Sequence, residues 1–374
     1  MNSKKSAVLI AMAVSVVPAW SQARNVILFT ADGVGITSLN GASIYGYSKP
    51  LSLYVQSMPY MALTDTSSAN DWISDGAAIS TAWATGVRTG NGIRSQSASA
   101  EQGVREGEKL KTILEYAEEH GLSTGIVTDN DESGVVAATV SAFYSHSCMP
   151  QKSNAGETFL QLLSMKHGPD VVIGPGRKLI TAQFAKTGRN LAADIRSKGY
   201  SYVDSVSAIS TLDPSAKRVI ALLDEKYFGA DQTNVEFNLR GAIEQALARL
   251  RKNPKGFILI ANSVCHSLIS EHTLPQIVAY DNVIREISEQ NKKDTLVLFA
   301  GSHGVNTRII GETLNETSKA VDGKRIIFAM VHQAKPTADE VPVLATGPGA
   351  ERVSGFVPNT EVFNYMMAAL RWQR

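Results

Sequence analysis

Cys265, His266, Glu271 and His272 bring a thiol, two imidazoles and a carboxylate into one short stretch of the chain. These are the groups that hold zinc, which takes three protein ligands in a catalytic site and four in a structural one. Their spacing follows no established zinc pattern, so a replacement metal site competes here with the ordinary polarity of a loop. A second stretch, Asp75-Gly-Ala-Ala-Ile-Ser-Thr-Ala82, carries hydroxyls at Ser74 and Ser80 on either side of Gly76. Gly76 has no side chain and cannot act as a nucleophile. Ser74 points elsewhere if the chain there is extended, and Ser80 lies about one helical turn onward. Gly174-Pro175-Gly176 follows an apolar run, as a phosphate-cradling loop does. Pro175 lacks an amide donor and the dinucleotide spacing is absent, so a plain turn is expected.

Short apolar runs alternate with helical patterns along the chain. Asn25–Thr30, Ser123–Thr128, Asp170–Ile173, Arg218–Leu223, Phe257–Ile260, Thr295–Phe299 and Val341–Ala345 are β-branched and apolar throughout. Such runs fit central strands covered on both faces. Between them, Leu110–His120 reads as a helix stopped by Gly121, and Val235–Leu250 has apolar positions at helical spacing. Ile277, Tyr280, Ile284 and Ile287 share that spacing. Alternating strands and helices predict a layered α/β domain. No linker or internal repeat divides it, so one domain over 24–374 is expected after a signal peptide over 1–23.

That leader has Lys4 and Lys5, an apolar run from Ala7 to Val17, Pro18, and small residues at Ser21-Gln22-Ala23. The pattern is that of an export signal cleaved after Ala23, against the alternative of a buried N-terminal helix. An exported chain, periplasmic or secreted, follows, with no membrane span later in the sequence. Removing Lys4 and Lys5 leaves 34 basic against 35 acidic side chains, a change from +1 to −1 in formal charge. So balanced a chain offers no electrostatic footprint for nucleic acid or anionic lipid. Hydrophobic residues at 44% and charged ones at 19% suit a folded core. Cys148 and Cys265 are the only cysteines; they either pair in an oxidising compartment or remain free buried thiols.

Several segments share a pattern with one known family. They are Arg24-Asn-Val-Ile-Leu-Phe-Thr-Ala-Asp-Gly-Val-Gly35, the stretch from Thr64 to Gly92 around Asp75-Gly76, Lys111–Ala117, Gly121–Thr128, Ala142–His146, Asn253–Ile260, Gly347–Glu351 and Pro358–Phe363. In number and order they resemble the bacterial alkaline phosphatases, over nearly all of the chain after the leader. The resemblance implies an α/β three-layer sandwich, its central, mostly parallel β-sheet covered by helices on both faces. It also implies two zinc ions and a magnesium, a serine nucleophile, an arginine gripping phosphate, and dimers.

The resemblance puts those roles on particular residues. The nucleophile position is Gly76, and the phosphate arginine, four residues after His146, falls on Pro150. Asp32, Thr139 and His303 stand where metal ligands are expected and are retained as vestiges. Ala137, Asn262, Ser267, Glu271, Ser302 and Pro336 occupy the remaining ligand positions. One zinc site thus keeps none of its ligands unless Glu271 serves, and neutral Asn262 replaces an acid at the magnesium site. Without a metal, His303 reads as a hydrogen-bonded pocket histidine and Asp32 as a carboxylate held by backbone amides at a helix start. Lys152 and Arg177 read as solvated surface cations.

Three readings follow. The first is an exported alkaline-phosphatase-like protein that has lost hydrolysis, with a cleft kept for a small-molecule or phosphate-like ligand or a partner. It has no cofactor, or zinc or magnesium only where a partial site survives, and forms a homodimer or a heterodimer with an active relative. The second is a metal-dependent phosphomonoester hydrolase of weak or altered activity, using one metal at Asp32 and His303. The third is a purely structural envelope protein.

Overall fold

The computed structural model describes residues 22–130, 133–166, 168–213, 215–223, 235–265, 270–310, 318–319, 325–326 and 329–374. Its strands are β1 (Asn25–Asp32), β2 (Tyr60–Thr64), β3 (Ser123–Thr128), β4 (Val171–Gly174), β5 (Ser201–Val203), β6 (Val219–Leu222), β7 (Phe257–Val264), β8 (Thr295–Gly301), β9 (Gly304–Ile310), β10 (Ser318–Lys319), β11 (Arg325–Ile326), β12 (Ala329–Thr337), β13 (Val341–Thr346) and β14 (Ser354–Val357). Its helices are α1 (Ile36–Tyr47), α2 (Gly76–Thr85), α3 (Ile113–His120), α4 (Ala138–Ser141), α5 (Ala155–Ser164), α6 (Arg177–Lys186), α7 (Leu191–Ser197), α8 (Val206–Ser210), α9 (Val235–Leu250), α10 (Ser270–Asn291) and α11 (Glu361–Ala369).

Ten strands form one sheet in the order β14-β2-β13-β8-β1-β7-β3-β4-β6-β5. All of its pairings are parallel except those that β13 makes with β8 and β2. β1 lies at the centre, flanked by β7 and β8. Its residues show why the run is apolar throughout: Val26 and Leu28 join the hydrophobic cluster on one face, Ile27 and Phe29 the cluster on the other. Helices cover both faces, as the three-layer expectation requires. α10 presents Leu274, Ile277, Tyr280, Ile284 and Ile287 to one cluster, a stripe at helical spacing. Tyr280 also stands edge-on to Phe29 at 6.0 Å and donates its hydroxyl to the Ala261 carbonyl at 2.8 Å.

The expected strands are present: β3 has the expected ends, and the others differ from expectation at one or both ends by one to four residues. The helix expected from Leu110 instead starts at Ile113. Thr112 accepts from the Glu115 amide and the Glu115 side chain returns to the Thr112 amide, a reciprocal cap that sets the start. β2 and β14, at one edge of the sheet, carry too little buried apolar surface to be read as strands from the sequence. Cys148 and Cys265 are free and buried, so no bridge joins them. Gly174-Pro175-Gly176 is a turn into α6. The Pro175 carbonyl accepts from the Val135 amide, and a Cβ on Gly134, whose φ is +56°, would come within 1.8 Å of that carbonyl. Among the described residues no helix is long and apolar enough to cross a membrane.

Candidate functional site

Open α/β sheets bind ligands beyond the carboxyl ends of their strands, at the point where strand order reverses. Here that point is the end of β1 between β7 and β8, where Asp32, Asn262 and Ser302 come together on adjacent strands. Asp32, expected to meet amides at a helix start, faces a hydroxyl and an imidazole. Its Oδ1 accepts the Ser302 hydroxyl at 2.6 Å and lies 3.2 Å from His303 Nε2. Ser302 Oγ in turn accepts from the Gly33 amide at 3.1 Å. His303 Nδ1 faces the Gly304 carbonyl at 3.0 Å. Both ring nitrogens therefore face acceptors, which favours the doubly protonated ring. Burial alone would lower the pKa of His303; the hydrogen bond and charge of Asp32, with the Gly304 carbonyl, outweigh it and raise it.

Asn262 is enclosed between the neighbouring strands. Thr128 on β3 donates to its Oδ1 at 2.9 Å, and its Nδ2 donates to Thr30 Oγ1 on β1 at 3.0 Å. One donor and one acceptor of the amide are thus matched by hydroxyls across three strands. One residue further on, Asp129 is buried and accepts from Ser263 Oγ at 2.6 Å, Val264 N at 3.0 Å and Gln276 Nε2 at 3.2 Å. The sequence reading gave neither Asp129 nor Ser263 a role, although an acid directly after a strand was a signal. Cys265 is buried, and burial pushes the pKa of its thiol well above the ordinary range, which disfavours the thiolate.

A second group forms where α2 begins. Asp75 caps the helix, its Oδ1 accepting from Ala78 N at 2.9 Å and its Oδ2 from Gly92 N at 2.7 Å. Gly76 follows. A Cβ placed there would stand 2.6 Å from Thr139 Cγ2, inside contact distance. Thr139, on α4, is buried and its Oγ1 has no hydrogen-bond partner. Ala137 precedes that helix as its N-cap and is buried without a polar group. Ser74 donates to the Thr66 carbonyl, away from α2, and Ser80 is buried within α2.

The other expected positions are dispersed. Pro150 is exposed. Pro336 is exposed on β12, at a bulge opposite Val305. Lys152 is on the surface and Arg177 pairs with Asp204 at 2.9 Å, as expected of solvated cations. Ser267, His266 and the side chains of Glu271 and His272 lie outside the described residues. A further cation escaped the sequence reading: Arg94 is buried and donates to the Met149 carbonyl at 3.0 Å, next to Pro150. Burial lowers its pKa, partly offset by Tyr144, Asp75, Cys148 and Glu106.

Among the described residues, no three of the His, Cys, Asp and Glu side chains converge as a metal-holding group. The acids at the strand ends are engaged by hydroxyls, amides and an imidazole of the same chain. Thr139 Oγ1 is a buried hydroxyl without a hydrogen-bond partner, as are Ser80 Oγ on α2 and Ser141 Oγ on α4.

The profile of the alkaline phosphatase family matches residues 23–335. The chain belongs to that family. Tissue-nonspecific alkaline phosphatase of Rattus norvegicus is 27% identical over 92% of this chain and 74% of its own length. Alkaline phosphatase of Escherichia coli strain K12 is 25% identical over 93% and 86%, and streptomycin-6-phosphate phosphatase of Streptomyces griseus 25% over 93% and 90%. Among solved structures, the alkaline phosphatase of the Antarctic bacterium TAB5 superposes with a TM-score of 0.76 at 19% identity, covering 95% of this chain and all of that one. The Thermus thermophilus alkaline phosphatase gives 0.74 at 18% identity over 95% and 92%. These superpositions show the alkaline phosphatase fold, with its mixed sheet and two helical layers.

Proposed function

We propose that this chain is an exported alkaline phosphatase homologue that no longer hydrolyses phosphate monoesters, and that its cleft binds a small phosphate-like ligand or a partner protein. The observation that carries this reading is at Gly76. The position offers no hydroxyl, and the space a serine side chain would need is filled by Thr139 Cγ2, 2.6 Å from a Cβ built there. The Asp75 carboxylate caps α2 through the Ala78 amide and also accepts from the Gly92 amide.

The donor set does not fit the family's metals. Zinc or magnesium would supply the charge that polarises a phosphoryl group and activates its attacker. Asp32 and His303 are turned onto each other, Asn262 is matched to two hydroxyls, and Ala137 and Ser302 are neutral. Three ligands for one ion are not assembled from these groups. A second chain would be seated at the edge of the sheet. Met61 and Phe356 are 55% and 77% exposed, and the β14–β2 register puts both on the face that also carries Leu63. Apolar surface of that kind marks interaction sites.

The test is to assay the purified mature protein with a chromogenic phosphate ester, with and without added zinc and magnesium, beside the Asp32→Ala/His303→Ala double variant. No turnover above the double variant is expected. Turnover that the double substitution abolishes, accompanied by about one zinc per chain, overturns the reading in favour of a surviving metal hydrolase.

A further inference from the structure

Two pairs of small residues precede the folded domain. One is Ser21-Gln22-Ala23; the other, two residues earlier, is Ala19-Trp20-Ser21. Export signals are cut after a small-x-small pattern, and both satisfy it. The sequence does not choose between them, but the far end of the chain does. α11 ends at Ala369, and the last carbonyls of a helix have no partner within the helix. The Ala23 amide donates to the Ala369 carbonyl at 3.0 Å, and the Gln22 side-chain amide donates to the Leu370 carbonyl at 3.4 Å. Ala23 is 1% exposed and belongs to the same hydrophobic cluster as Met366, Ala369 and Leu370. Gln22 and Ala23 thus cap α11 and close the core beneath it. Arg24 then enters β1, its amide on the Asp294 carbonyl at 2.8 Å and its guanidinium on the Asp294 carboxylate at 2.7 Å.

We propose that the leader is removed between Ser21 and Gln22, so that Gln22 and Ala23 remain as the first residues of the mature fold; this rests on the export reading above. Cutting after Ala23 would strip both donors from the end of α11 and uncover its last turn. Cutting after Ser21 keeps both donors. The peptidase recognises Ala19 and Ser21, and the domain keeps Ala23.

The experiment is expression of the full chain with its own leader in a bacterial host, followed by intact mass and N-terminal sequencing of the exported protein. The expected first residue is Gln22, either free or cyclised. In the cyclised form its α-nitrogen bonds to the side-chain amide carbon and ammonia leaves. A first residue at Arg24 overturns the proposal while leaving export intact. A chain still carrying the intact leader overturns both. Ala23→Asp gives a second readout on the exported form. A clear fall in melting temperature is expected, because a carboxylate enters the core. An unchanged melting temperature means that Ala23 left with the leader, and overturns the proposal.

Discussion

His303 Nε2 lies 3.2 Å from the same oxygen of Asp32 that takes the Ser302 hydroxyl at 2.6 Å. The three residues make a closed unit at the end of β1. The hydroxyl donates to the acid and not to the imidazole, so the imidazole does not activate Ser302 as a base activates a nucleophile. The carboxylate neutralises the ring and the ring neutralises the carboxylate. This unit holds β1 to the residues after β8.

A buried pair of this kind reveals itself when one member is removed. Asp32→Asn or His303→Ala alone leaves the other group unmatched and is expected to cost about 3 kcal/mol in urea unfolding. The double variant is expected to cost less than the two single costs combined. Additive costs would mean that the two side chains do not interact.

Gly76→Ser is expected to supply a hydroxyl without producing turnover. The added side chain meets Thr139 Cγ2, and overpacking of this kind costs about 1–3 kcal/mol. Thr139→Ala in the same chain is expected to recover most of that loss. Chemical denaturation of the two single variants and the double variant checks the relief; a chromogenic ester assay on all three checks the absence of turnover.

Asp281 gives the pH dependence a sign. Its carboxyl on α10 accepts from the Tyr54 and Val55 amides at 2.8 and 2.9 Å. Burial raises its pKa from 3.8 to about 6 against the opposing pull of those amides. The folded chain therefore binds this proton more tightly than the unfolded chain does. Its contribution to stability is full below the unfolded value and falls as pH rises through about 6. Relative to Asp281→Asn, the wild-type chain should lose roughly 2–3 kcal/mol between pH 4 and pH 7. Melting curves of the two proteins across that range should converge at the acid end.

At the sheet edge, Met61→Glu with Phe356→Glu places charge on the apolar face shared with Leu63. Light scattering should find the wild type as a dimer and the double variant as a monomer with an unchanged circular dichroism spectrum. A dimer that survives both charges would move the interface elsewhere.

The centre of the fold was legible because β1, β3, β7 and β8 are covered on both faces. Each accordingly carries an apolar run, Val26–Phe29, Ile126–Val127, Phe257–Ala261 and Leu296–Ala300. β2 and β14 were not legible. They lie at the edge, with exposed positions and a glycine that break the pattern. At the site, the sequence exposed the substitutions, since Gly76, Asn262 and Ser302 can be read directly. What replaced the expected ligands was hidden. Ser302 meets Asp32 across 270 residues of chain, and Ser263 meets Asp129 across 134. Arg94 was invisible for the opposite reason, because nothing local distinguishes a buried arginine from a surface one.

Asn262 sits between Thr30 and Thr128, giving one hydrogen bond and receiving another. An acid at that point would place a buried negative charge between two neutral hydroxyls unless an ion arrived with it. The polar seam across β1, β7 and β3 thus acts as a clasp between three strands of the sheet, and a charge introduced there would have to be matched before the clasp could close again.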